Sequence, residues 1–65
     1  MDDDDLVRMA NQIARQFEGA PEAEARAAIA DHLAKFWDPR MRAQLAAIAA
    51  ANPKGLHVLV RPSGR

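Results

Sequence analysis

The side chains able to do chemistry are few and scattered. Histidine occurs at His32 and His57 and serine at Ser63, while cysteine, threonine and tyrosine are absent. Without a thiol there is no cluster ligand, no thiol nucleophile and no disulfide. A helical metal site needs a second ligand one turn from the first, and nothing suitable stands three or four residues after His32. Asp31 adjoins His32, but neighbours on a helix point ~100° apart and form no dyad. His57 has no acid beside it in sequence. Ser63, between Pro62 and Gly64, has no base next to it, and Gly55 and Gly64 do not make a phosphate loop. Asp2 to Asp5 is a dense acidic run, yet it lacks the alternating ligands and the turn glycine of a calcium loop. It suits a solvated first helical turn that complements the helix dipole. The expectation is a chain with no catalytic, metal or cofactor-binding residue of its own.

One stretch stands out: Phe36-Trp37-Asp38-Pro39-Arg40-Met41-Arg42. Two aromatics, a helix-starting pair and two arginines fall within seven residues. Tryptophan and arginine together are typical of binding hot spots. Phe36 is expected in the core. Trp37, on the flank of the same apolar stripe, suits either the core or a partner's pocket.

Three helices must position these groups. The first is expected over residues 3–18, with Leu6, Met9, Ala10, Ile13 and Phe17 at spacings of three and four. Asp4, Arg8, Asn11, Arg15 and Glu18 take the opposite face, Asp4 and Arg8 as an i,i+4 pair. Gly19-Ala20-Pro21 stops this helix. The second starts near Pro21 or Glu22 and shows an apolar stripe of Ala25, Ile29, Leu33 and Phe36, widened by Ala30 and Trp37, with Asp31 and Lys35 paired on the far side. Asp38-Pro39 then makes a corner: aspartate is a preferred N-cap, and proline at the first helical position has no N–H to satisfy. A third helix follows to about Ala51, with Met41, Leu45 and Ile48 on its face and alanine filling most of the rest. After Asn52-Pro53-Lys54-Gly55, the apolar insert Leu56 to Val60 is too short for a helix and has no second strand to pair with. The fold class is therefore all-α: a three-helix domain over residues 1–52 and a short irregular C-terminal tail over 53–65.

Size and charge narrow the function. Of 65 residues, 49% are hydrophobic, but alanine makes up nearly half of that set, so the core is small. An enclosed catalytic pocket is not expected. Net charge is zero but polarised: residues 1–31 carry eight acids against three arginines, and residues 32–65 one acid against six cations. Such polarity suits docking to a complementary surface or internal neutralisation. The longest apolar run, Leu45 to Ala51, is far short of the ~20 residues that span a bilayer. The acidic start is unlike a secretory signal, so cytoplasm is the expected compartment. A small helical nucleic-acid-binding regulator is an alternative, using Arg40, Arg42, Lys54, Arg61 and Arg65 on phosphates. A pI near 6.7 and an alanine-rich third helix weigh against it. A homodimeric helical module is the other alternative.

Two sequence blocks carry a family resemblance. Leu6-Val7-Arg8-Met9-Ala10-Asn11-Gln12-Ile13-Ala14, followed by Ile29-Ala30-Asp31-His32-Leu33 and Lys35-Phe36-Trp37-Asp38-Pro39-Arg40-Met41-Arg42, resembles the delta subunit of soluble NAD-dependent, molybdenum-containing formate dehydrogenases. The resemblance extends over about residues 6–50, and the segment after Asn52 departs from the polar helical tail expected of the family. It implies a non-catalytic accessory subunit that supports assembly, maturation or stability of the complex. Its partners would be the catalytic and diaphorase subunits, which carry molybdopterin, iron–sulfur clusters and FMN. Carried over residue by residue, Asn11, His32, Trp37, Arg40 and Arg42 are the expected partner-binding positions. Met9, Ile13, Leu33, Phe36 and Met41 are expected in the core, with Trp37 filling a partner's pocket while Arg40 and Arg42 pair with acids.

Overall fold

The computed structural model describes residues 2–62. Helix α1 spans Asp3–Arg15, α2 Glu22–Phe36 and α3 Pro39–Ala51, and single 3-10 turns follow at Pro53–Gly55 and Val58–Val60. The all-α class and the three helices match the sequence expectation. Helix α1 ends three residues early: Gln16, Phe17 and Glu18 donate to the carbonyls of Ile13, Ala14 and Arg15, tightening the last turn into i→i−3 bonds before Gly19.

Asp38 and Pro39 turn the chain as their chemistry dictates. Asp38 sits in extended backbone, its carboxylate Oδ1 accepts from Met41 N–H at 2.8 Å, and Pro39 is the first residue of α3. Replacing Asp38 with alanine leaves that N–H without its acceptor. The expected cost is about 0.5–2 kcal/mol, read as a lower urea midpoint with unchanged slope.

The helices bury themselves along i,i+4 rows. Leu6, Ala10 and Ala14 are buried on α1, Ala25 and Ile29 on α2, and Leu45 and Ala49 on α3. Such rows are inclined to the helix axis, so helices packed along them cross at an angle rather than lying side by side. Gln44 Nε2 donates to Asp3 Oδ1 near the start of α1, and Asn11 Nδ2 donates to Gly55 O just past α3, so these two helices run in the same sense. Leu6, Ala10, Trp37, Leu45, Ala49 and Leu56 form the core cluster. Leu56 belongs to the tail, which thus contributes a core residue and packs against both α1 and α2. The expected Asp4–Arg8 pair is replaced by Asp5–Arg8 at 2.9 Å, while Asp31–Lys35 forms as expected at 3.0 Å.

Candidate docking site

At the α2–α3 corner the two aromatics exchange their expected places. Trp37 is 6% exposed and lies in the core, whereas Phe36 is 71% exposed. The inclined row explains this. At ~100° per residue, each i,i+4 step drifts about 40°, so a face that begins at Ala25 and Ile29 arrives at Leu33 and then Trp37. Phe36 aligns with the stripe only where α2 begins, and at the other end the stripe has moved past it. Trp37 also leaves helical geometry, with an extended backbone, while its N–H still donates to Leu33 O at 2.9 Å. Filling a partner's pocket with Trp37 is therefore corrected: its indole fills this chain's own core.

The other expected site residues do not converge. His32 is half-buried and its ring lies 4.7 Å from that of Phe36, tilted by 44°. Together they form an aromatic pair one turn above the corner. Arg40 and Arg42 are exposed and, among the described residues, neither has an ion-pair partner. Two positions apart on α3, they point ~200° from one another and cannot grip one acidic patch side by side.

Asn11 faces inward to the tail. Its Oδ1 accepts from His57 N–H at 2.8 Å and its Nδ2 donates to Gly55 O at 3.1 Å. One amide thereby satisfies two backbone groups of a segment with no regular partner. His57 completes the fastening. Its Nδ1 accepts from Leu59 N–H at 3.1 Å, which assigns the ring proton to Nε2, and Nε2 donates to Glu18 Oε2 at 2.6 Å. An acid does stand beside His57, supplied by the turn that follows α1. The third fastener is Arg26, which bonds Glu22 Oε2 at 2.9 Å, Arg61 O at 2.6 Å and Val58 O at 3.0 Å. Arg61 Nε in turn donates to Leu56 O at 2.9 Å. Sequence reasoning missed Arg26 and the roles of Glu18 and His57, because their partners lie more than thirty residues away and are mostly backbone atoms.

The fastened tail walls a groove. It is open, about 340 Å³ in volume, and runs between α2 (Ile29, Ala30, Leu33) and the tail (Leu59, Val60), with Leu45 of α3 also lining it. Among the described residues, Arg26 and Arg61 are its charged members and no acid lines it. Among the described residues no cluster of three or more His, Cys, Asp or Glu is placed to hold a metal ion, and no helix is long and apolar enough to cross a membrane. Ser63 lies outside the described residues.

No curated protein and no solved structure matches the chain. The family model described as NADH-dependent formate dehydrogenase delta subunit FdsD matches residues 5–63. That span corrects the expectation that the family likeness stops near Asn52: it runs through the tail that Asn11, His57 and Arg26 fasten down. Matched over nearly its whole length, and folded so that the tail completes the core, the chain belongs to the delta-subunit family of NADH-dependent formate dehydrogenases.

Proposed function

We propose that this chain is a non-catalytic accessory subunit that binds the catalytic and diaphorase subunits of a formate dehydrogenase in the cytoplasm and supports the assembly, maturation or stability of that complex. The molybdopterin, iron–sulfur clusters and FMN belong to those partners. The observation that carries this reading is the family match over residues 5–63. The use of polar groups agrees with it. Asn11, Glu18, Arg26 and His57 are spent holding the tail, while large apolar and cationic side chains are left at the surface.

Phe36 takes over the anchoring role expected of Trp37, with His32 beside it and Arg40 and Arg42 meeting acids on separate flanks. An exposed aromatic backed by a second ring offers a large, rigid contact at low entropic cost. Co-expression with the cognate formate dehydrogenase subunits, followed by affinity purification, tests the reading. Wild-type chain is expected in the purified complex. Phe36→Ala combined with Arg40→Glu is expected to weaken retention about tenfold or more, with the helical circular dichroism unchanged. A wild-type chain that never co-purifies would overturn the accessory role.

A further inference from the structure

Helices α2 and α3 diverge from the Asp38 corner; Ile29 and Leu45 on their facing sides are buried, while Leu33, one turn on from Ile29, stays half-buried. The tail closes one side of this opening through its packing on α2, and the other side stays open as the groove. Its aliphatic lining comes from Ile29, Leu33 and Leu45 on two helices and from Leu59 and Val60 on the tail. Ala30 adds a wall with almost no side chain and is exposed.

We infer that this groove receives an amphipathic helix of a partner subunit, with an aliphatic row on the half-buried Leu33, Leu59 and Val60 and a carboxylate at Arg61. The charge pattern selects that occupant. Both ionisable residues lining the groove are arginines. Arg26 is already occupied at all three guanidinium nitrogens. Arg61 uses Nε alone among the described contacts, so its two terminal nitrogens can take a carboxylate as a bidentate pair. The apolar lining fits a helix laid in by side chains at i, i+3 and i+4. A second copy of this chain is a poorer fit, because the apolar rows beside its helical acids, Leu6, Ala10 and Ala14 on α1 and Ala25 and Ile29 on α2, are already buried in its own core. The partner is a subunit of the formate dehydrogenase, so the site rests on the function proposed above.

The test fills the groove without touching the core. Ala30→Trp occupies it with an indole, and Ala30→Glu sets a carboxylate where the partner's own is expected. Ala34→Glu, exposed one turn beyond Ala30 and outside the groove's lining, is the control. Each variant is co-expressed with the formate dehydrogenase subunits, and retention is measured alongside the helical circular dichroism. Retention is expected to fall about tenfold or more for both Ala30 variants and to stay at the wild-type level for Ala34→Glu. Wild-type retention by Ala30→Trp would overturn the groove and leave the accessory role standing. Loss of retention in wild type and variants alike would overturn the accessory role itself. Sedimentation of the isolated chain as a dimer that Ala30→Trp dissociates would replace the partner helix with a second copy and overturn the proposed occupant.

Discussion

Trp37→Ala is expected to remove about 3–5 kcal/mol of folding stability, whereas Phe36→Ala leaves it nearly unchanged. Trp37 is 6% exposed in the cluster that joins α1, α3 and the tail, and truncating a buried aromatic to alanine costs about 3–5 kcal/mol. A domain of this length holds roughly 3–10 kcal/mol in total, so one substitution removes much or all of it. Phe36, at 71% exposure, leaves no cavity when truncated, and its effect should stay within about 0.5 kcal/mol. Urea titration followed by helical circular dichroism separates the two. A Phe36→Ala midpoint below that of Trp37→Ala would reverse the burial of the pair, and with it the course of the α2 stripe.

That pair also marks how far local pattern reaches. The three helices, the break at Gly19 to Pro21 and the Asp38-Pro39 corner are written in residue types whose effect is local: spacing, capping chemistry and a missing proline N–H. Periodicity also identifies Leu6, Ala10, Ala25, Ile29 and Leu45 as inward-facing, and they are buried. It fails at the end of α2, because a stripe drawn straight along the axis ignores the drift of an i,i+4 row. Over one turn that drift is small. By Phe36 it has accumulated over almost the whole helix, enough to put the wrong aromatic in the core.

The tail was opaque for a different reason. Leu56 to Val60 carries the composition of a strand, and no helical period or pairing partner shows where it goes. Its place is set by side-chain to backbone bonds from Asn11 and Arg26, which are sequence-remote and involve acceptors that every residue possesses. Asn11 on the polar side of α1 therefore reads as available for a partner, although its partner is the chain's own backbone. The same blindness hides the groove, since half of its wall is the tail.

Asn11→Ala accordingly should act on the fold before it acts on any docking. The substitution removes the acceptor for the part-buried His57 N–H and the donor to Gly55 O together. Leaving a buried backbone donor unsatisfied costs about 1–3 kcal/mol, which for a domain this small lowers Tm by roughly 5–20 °C. Asn11→Asp keeps the acceptor and loses the donor, so its melting temperature should fall between wild type and Asn11→Ala. Hydrogen exchange supplies the regional readout. In Asn11→Ala the amides of Leu59, Val60 and Arg61 should lose protection ahead of those in α1 to α3, because the tail opens as a local unit when its fastening is cut. Fastening by Asn11 would be wrong if Asn11→Ala melted like wild type and lost only its retention by the formate dehydrogenase subunits, for then the amide would be facing the partner after all. If instead the tail loosens first, any accompanying loss of retention follows from the groove, whose wall is held upright by that same amide through residues 55 and 57.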